Sequence, residues 1–256
     1  MPKDAISRMC SMTKAVTDVA AMILYERGHF ALYNPISNYL PEFKNMKVAV
    51  DGKLEDAKNE ITVRDLFMQT AGLSYSGAKA PHGEPYYAKT KVNEAKTLEE
   101  GIKRIAEAPL VQHPGTTWQY GYATDVLARY VEAVSGMSVD ECSHKNIFRT
   151  PGMGDPGYDA PEKMWGRFTT RYALDKGKKT IHRSTAVDQD NYKHPPTRFG
   201  GAADLVSTTI DYARFTQMLA DHGTLDGHRI LSRKSVEMVR SNHMPLDMPR
   251  VARTRC

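Results

Sequence analysis

The chain has 256 residues, 41% of them hydrophobic and 25% charged, with a formal net charge of +5 at pH 7. This composition is typical of a globular protein with a substantial core, and it excludes a disordered chain. No apolar run is long enough to cross a bilayer, so we expect no membrane span. The basic residues are spread without interleaved aromatic residues, which argues against a nucleic-acid partner. The three cysteines are too scattered for a disulfide framework or a zinc site, and we expect neither a metal nor another cofactor.

Periodic apolar residues and capping signals predict a mostly helical chain. The first helix should run from Ser11 to Arg27 and end at Gly28, a natural left-handed stop. Thr62 is expected to cap a helix that ends at Gly72. The predicted helices, in chain order, cover residues 11–27, 62–72, 97–108, 122–135, 139–148 and 208–219, followed by one that Ser232 caps. A long surface loop is expected over residues 74–93, and two short strands within residues 167–174 and 179–185.

The segment Ser11-Met12-Thr13-Lys14 places a serine and a lysine one turn apart at the start of the first predicted helix. Side chains three residues apart share a helix face, with Cβ atoms roughly 5–6 Å from each other. A lysine amine that is neutral part of the time can take the proton of a serine hydroxyl, which is otherwise a poor nucleophile. The spacing therefore supplies a nucleophile and a candidate base. On these four residues alone, Ser11 as a helix cap and Lys14 as a solvated residue remain the alternative.

Four sequence segments occur together in an order that is typical of one enzyme superfamily. They are SMTK at residues 11–14, LFMQTAGL at 66–73, PGTTWQY at 114–120 and GGAADLVST at 200–208. Through them the chain, from about residue 4 to about residue 246, resembles the serine β-lactamase-related superfamily. Within it, the chain is most similar to the branch of class C β-lactamases, DD-peptidases and family VIII carboxylesterases.

The resemblance implies an α+β fold of the β-lactamase/transpeptidase type, formed by residues 1–256 as a single serine hydrolase domain. The superfamily has several strands before the nucleophile helix, whereas only ten residues precede Ser11. It also has a third active-site element, on a late strand that supplies an oxyanion N–H, and the C-terminal residues MPRVARTRC fit no such strand. We therefore expect mostly the helical part of the fold, with an incomplete antiparallel sheet and truncation at both ends.

The same resemblance assigns chemistry to three residues. Ser11 corresponds to the acylated serine, Lys14 to the lysine that accepts or relays its proton, and Tyr120 to the tyrosine that shares in proton transfer to the leaving group. Outside the family context, Tyr120 would sooner be interpreted as a packing residue. Three further aromatic residues are expected to bind substrate as the lining of an acyl pocket: Trp118, Tyr122 and Tyr75.

The residues after Tyr120 depart from the family pattern. Gly121 stands where esterases of this type often have serine, and Tyr122 stands where the lactamase-type motif has asparagine. The missing asparagine favours an esterase over a β-lactamase or a DD-peptidase. We therefore predict a serine hydrolase that cleaves carboxylic esters through an acyl-enzyme on Ser11, with β-lactams or amides as further substrates.

Two alternatives stay open. A truncated, catalytically impaired homologue would act as a non-enzymatic binding protein, or would associate with itself through exposed helical faces. A DD-peptidase-like penicillin-binding protein would require export, and the first ten residues contain no apolar signal-peptide segment. The expected partner is thus a small ester or amide, and the expected location is cytoplasmic.

Overall fold

The computed structural model describes residues 2–75, 84–149, 152–175, 177, 179–184 and 200–249. This part of the chain is mostly helical with short antiparallel strands, in agreement with the predicted α+β class. Eight α-helices lie within these ranges: α1 Thr13–Glu26, α2 Val63–Met68, α3 Glu84–Tyr87, α4 Leu98–Ala106, α5 Ala123–Ser135, α6 Val139–Ser143, α7 Thr209–Ala220 and α8 Arg233–Arg240. Among the described residues, no helix has both the length and the apolar character that are needed to cross a membrane.

The strands of the described chain form antiparallel pairs. β1 (Ile6–Arg8) pairs with β6 (Val206–Thr208), with Ile6 opposite Thr208. Three local hairpins contain the other strands: β2 Lys47–Val50 with β3 Lys53–Asp56, β4 Tyr172–Leu174 with β5 Ile181–Arg183, and β7 Thr224–Leu225 with β8 His228–Arg229. Of these pairs, only β1 and β6 join distant parts of the chain, and β1 leads directly into the turn before α1.

Helix α1 lies at the centre of the core. It has apolar residues on most of its sides, and nine of its 14 residues are buried: Thr13, Val16, Thr17, Val19, Ala20, Ala21, Met22, Ile23 and Leu24. Helices α5 and α6 pack against α1, and α5 also contacts α2 and α4. A helix that is apolar on most sides must be enclosed by other elements. The buried residues of α1 are therefore enclosed by the neighbouring helices.

Threonine or serine side chains cap α2, α4, α7 and α8, and Thr97 caps α4 by accepting the Glu100 N–H. Thr62 and Asp65 form a reciprocal capping box at the start of α2. Thr208 caps α7 and Ser232 caps α8, each by accepting a backbone N–H three residues further on. Gly28, with a φ of +77°, follows the C-terminus of α1 in the left-handed conformation.

Several local predictions differ from the structure. Helix α1 begins at Thr13, because Cys10–Met12 form a 3₁₀ turn. Helix α2 ends at Met68 rather than near Gly72, because Gln69 already has a left-handed backbone. The described part of the predicted loop at 74–93 contains α3 and two 3₁₀ turns. Parts of the predicted loop, of the second predicted strand and of the C-terminal segment lie outside the described residues, at 76–83, 185–199 and 250–256.

Helix α1 also carries a carboxyl group into a weakly hydrated environment. Asp18 is half-buried and borders a cavity of about 300 Å³, which is also lined by Met22, Phe67 and Met238. Burial raises the pKa of Asp18 to about 7, although the nearby charge of Lys14 acts in the opposite direction. The folded protein therefore favours the neutral carboxyl more strongly than the unfolded chain does.

Replacing Asp18 with asparagine should stabilise the protein at high pH. A carboxyl whose folded pKa of about 7 exceeds its unfolded value of 3.8 destabilises the folded state as the pH rises through that interval. We expect the unfolding free energy of Asp18→Asn to exceed that of the wild type by on the order of 1–3 kcal/mol at pH 8, and the gain to vanish near pH 4. Urea denaturation of both proteins at pH 8 and pH 4 measures this difference in unfolding free energy. The exposed Asp247→Asn serves as control, and a pH-independent gain would contradict the assignment.

Replacing Gly201 with alanine should destabilise the packing of the backbone at residue 201 against α5. A Cβ at Gly201 would lie 2.4 Å from the Cβ of Ala128 and 2.7 Å from the carbonyl oxygen of Thr124. Such overpacking typically lowers the unfolding free energy by about 1–3 kcal/mol. The matched control is Gly154→Ala, where a Cβ would meet nothing within 4 Å and a change within about 0.5 kcal/mol is expected. Equal stability of the two variants in urea would refute the close approach.

Candidate active site

Ser11 lies in the 3₁₀ turn Cys10–Met12, between β1 and α1. Cys10 has a φ of +47°, in the left-handed region, so the chain turns sharply between the strand and the helix. The Met9 N–H donates to the Leu205 carbonyl at 2.8 Å and ties this turn to the residues before β6. The N-cap position of α1 is Met12 rather than Ser11, and Ser11 is exposed. The Ser11 hydroxyl is therefore presented at the surface, at the N-terminal end of the central helix.

The structure brings the three expected catalytic residues together. The Ser11 Oγ lies 2.8 Å from the Tyr120 phenolic oxygen, across 109 positions of sequence, and either group can be the donor. The Lys14 Nζ lies 4.8 Å from the centre of the Tyr120 ring and donates to the Ala202 carbonyl at 2.9 Å. Lys14 is half-buried, so its amine is held beside the phenol instead of extending into solvent. The 2.8 Å contact allows the hydroxyl and the phenol to exchange a proton directly, and the amine lies over the ring of the same phenol.

Two helices fix the carbonyl group that binds Lys14. Thr17 on α1 donates through Oγ1 to the Gly201 carbonyl at 2.8 Å. Asp125, in the first turn of α5, accepts the Ala202 N–H at 3.1 Å. Asp125 therefore has a structural part: it binds the N–H of Ala202, the residue whose carbonyl accepts the Lys14 amine. A threonine on the apolar face of α1 is the sequence signal for such an arrangement, because a buried hydroxyl needs a partner.

Gly121 allows the segment that carries Tyr120 to approach residues 73–75 closely. A Cβ at Gly121 would lie 2.2 Å from the Leu73 carbonyl oxygen and 2.7 Å from the Ser74 Cα. A serine at this position, which related esterases often have, would require the backbone to shift. The glycine that departs from the family pattern therefore lies where the backbone of Leu73 and Ser74 leaves no room for a side chain.

Aromatic rings surround the Tyr120 phenol. The Tyr75 ring centre lies 5.6 Å from that of Tyr120 and 4.6 Å from that of Tyr122, both in edge-to-face geometry. The Trp118 ring stacks on Tyr120 with a centre distance of 6.2 Å. The three expected substrate-binding residues are therefore gathered at the same place, and all three are half-buried. Burial raises the pKa of Tyr75 above its usual value, so its phenol stays neutral and forms part of a largely apolar wall.

The cavity beside Asp18 is separate from this arrangement. It lies further along α1, and its lining includes Asp18 and Met22 but none of the three expected catalytic residues. Within the described residues, no group of three or more histidine, cysteine, aspartate or glutamate side chains is arranged to hold a metal ion.

Comparisons with known proteins cover almost the whole chain. The β-lactamase family model matches residues 1–251. Protein Rv1367c of Mycobacterium tuberculosis (strain ATCC 25618 / H37Rv) is 30% identical over 249 residues, which make up 95% of this chain and 61% of that protein. Esterase EstB of Burkholderia gladioli is 31% identical over 176 residues, or 67% of this chain and 43% of that protein.

Solved structures share the fold. EstCE1, described as a hydrolase with promiscuous acyltransferase activity, superimposes with a TM-score of 0.72 at 22% identity, over 92% of this chain and 63% of that one. The chain thus spans about three fifths of the length of Rv1367c and of EstCE1. The fold has the expected β-lactamase/transpeptidase-like architecture. On the extent of the family match and the shared fold, the chain belongs to the β-lactamase family.

Proposed function

We propose that this chain is a serine hydrolase that cleaves carboxylic esters through an acyl-enzyme on Ser11. The observation that carries the proposal is the 2.8 Å contact between the Ser11 Oγ and the Tyr120 phenol, with the Lys14 amine 4.8 Å from the centre of the same ring. Tyr120 and Lys14 can therefore accept the proton that the Ser11 hydroxyl loses when it attacks the ester. The esterase EstB and the hydrolase EstCE1 among the similar proteins support the same class of reaction.

The reaction divides into two halves. In acylation, the Ser11 Oγ bonds to the ester carbonyl carbon, its proton passes to Tyr120 and Lys14, and the carbon–oxygen bond to the alcohol breaks as the alcohol takes up that proton. In deacylation, water bonds to the acyl carbon, the same pair relays the water proton to Ser11, and the acid leaves. Tyr120 and Lys14 act together as one proton relay in this scheme. The Ser11 backbone N–H, at the N-terminal end of α1, is the proposed oxyanion donor.

The aromatic wall favours esters with a small apolar acyl group. Tyr75, Tyr122 and Trp118 present ring surfaces close to Tyr120, and each is half-buried. Ring faces of this kind bind apolar groups through burial and edge-to-face contacts. We therefore propose acetate and butyrate esters as first substrates.

Transfer of the acyl group to an alcohol is the second candidate function. Ser11 is exposed, so an acceptor larger than water can reach the acyl-enzyme. The description of EstCE1 as a hydrolase with promiscuous acyltransferase activity supports this candidate. Hydrolysis and transfer begin with the same acylation of Ser11. A β-lactam or an amide would form the same kind of acyl-enzyme. A non-enzymatic, self-associating homologue would form no such intermediate.

Mutation of Ser11 should abolish both covalent labelling and ester hydrolysis. A fluorophosphonate probe is expected to label the wild type on the tryptic peptide Met9–Lys14, and fragmentation of this peptide separates Ser11 from Cys10. We expect Ser11→Ala to lose labelling and to lower the hydrolysis of p-nitrophenyl butyrate by at least about 10³-fold. Tyr120→Phe should lower kcat by about 10²–10⁴-fold, because it removes a proton-transfer group.

Matched controls separate chemistry from folding. Ser37→Ala and Tyr33→Phe make the same chemical changes away from the site and should retain activity within about twofold. Labelling of Cys10 in place of Ser11, or equal hydrolysis by Ser11→Ala and the wild type, would refute the proposal. Butyl ester formation in the presence of butanol distinguishes transfer from hydrolysis. Unlabelled, inactive protein that elutes as an oligomer in size-exclusion chromatography would favour the self-associating alternative.

A further inference from the structure

Gln69 is buried behind the proposed active site, with an exposed fraction of 9%. It follows Met68, the last residue of α2, and its φ of 58° and ψ of 37° place it in the left-handed region. Glycine and asparagine adopt this conformation readily, whereas the Cβ of a glutamine is strained there. A strained residue persists only where the surrounding contacts over-determine its conformation.

The polar groups of Gln69 bind the segment that carries Tyr120. The Gln69 carbonyl accepts the Gln119 N–H at 2.8 Å. Its side-chain Oε1 accepts the Gly121 N–H at 3.3 Å, and its Nε2 donates to the Thr124 Oγ1 at 2.9 Å. One residue thus holds the backbone on both sides of Tyr120 and also the first turn of α5.

Gln69 is itself held by the capping network of α2. The Thr70 N–H donates to the Asp65 carbonyl at 2.9 Å, and the Thr70 hydroxyl donates to the Asp65 Oδ1 at 2.7 Å. The other carboxylate oxygen of Asp65 accepts the Thr62 N–H at 3.0 Å. Because these groups are buried or partly buried, the turn that carries Gln69 is a rigid support for the segment opposite it.

The position of the Tyr120 phenol depends on this support. Tyr75, Trp118 and Lys14 contact the ring of Tyr120, yet the side chain is half-buried, and its 2.8 Å contact with Ser11 also requires the backbone to be fixed. We propose that Gln69 is a positioning residue for Tyr120: by binding the N–H groups on both sides of it, Gln69 holds the phenol at the Ser11 hydroxyl. This inference rests on the proposed function, because it takes Tyr120 to be part of the proton-transfer pair.

Gln69 does not act on the substrate directly. Its amide group is turned toward Gly121 and Thr124, inside the fold, and both of those hydrogen bonds are buried. Its effect should therefore appear through proton transfer by Tyr120. In enzymes, a displacement of about 1 Å in a reacting group can lower the rate roughly 10²-fold.

Esters that differ in their leaving group separate this role from a general loss of structure. Phenolate leaves slowly without a proton, whereas p-nitrophenolate leaves readily, so a displaced Tyr120 should affect phenyl acetate more than p-nitrophenyl acetate. We expect Gln69→Met to lower kcat/KM about tenfold for phenyl acetate and less than about threefold for p-nitrophenyl acetate. Gln69→Glu keeps an oxygen acceptor for the Gly121 N–H and should stay within about threefold of the wild type for both esters.

The matched control is Gln112→Met. The Gln112 Oε1 is buried and has no hydrogen-bond partner among the described residues, so the same substitution there removes no hydrogen bond of this oxygen. This variant should leave both esters unaffected. Equal losses for both esters in Gln69→Met, or no loss for either, would overturn the positioning role.

Fluorine NMR tests the placement of Tyr120 without requiring activity. With 3-fluorotyrosine incorporated at Tyr120, the wild type and Gln112→Met should each give one narrow resonance, and Gln69→Met should give a broadened or additional resonance. A wild-type spectrum for Gln69→Met would overturn the inference even if its activity were low. A Gln69-dependent spectrum without any fluorophosphonate labelling of Ser11 would refute the proposed hydrolase function and leave the positioning of Tyr120 standing.

Discussion

The enclosure of α1 is the constraint on which the rest of the structure depends. Most sides of this helix are apolar and buried, so Thr13 and Thr17, which point into the core, need hydrogen-bond partners there. Both find partners in the backbone of residues 200–205. The same segment then offers the Ala202 carbonyl to the Lys14 amine. The contacts that satisfy the buried polar groups of the helix therefore also determine where its amine lies.

On the other side of the nucleophile, close contact between two backbone segments positions Tyr120. Gly121 lies against the backbone of Leu73 and Ser74, and Gln69 bridges the same two segments from within the fold. Gly201 plays the corresponding part on the lysine side, where a Cβ would collide with α5. The geometry of the site is thus set largely by residues that cannot touch a substrate, and substitutions at these residues should disturb it as much as changes in the aromatic wall.

Local signals in the sequence predicted the features that local interactions determine. Thr62 caps α2 because it binds a backbone N–H three residues further on, and the helices follow from short-range periodicity. The contact of Ser11 with Tyr120 spans 109 positions and was predicted only from the resemblance to a known family. Gln69 escaped prediction because its part depends on which backbone groups tertiary folding brings within reach. The pair of β1 and β6, three residues each, is too short to give a periodic signal.

The pairing of Ile6 with Thr208 has a consequence for how the protein folds during its synthesis on the ribosome. At roughly 5–20 residues per second, translation delivers β6 about 10–40 s after β1. An isolated helix of 14 residues is marginal in water, so α1 gains most of its stability only when the residues that pack on it and bind its threonines have been made. During that interval the apolar residues of α1 are exposed and can associate with other chains. The pair of β1 and β6 and the buried contacts of Thr13 and Thr17 therefore form only after residues 200–208 have been synthesised.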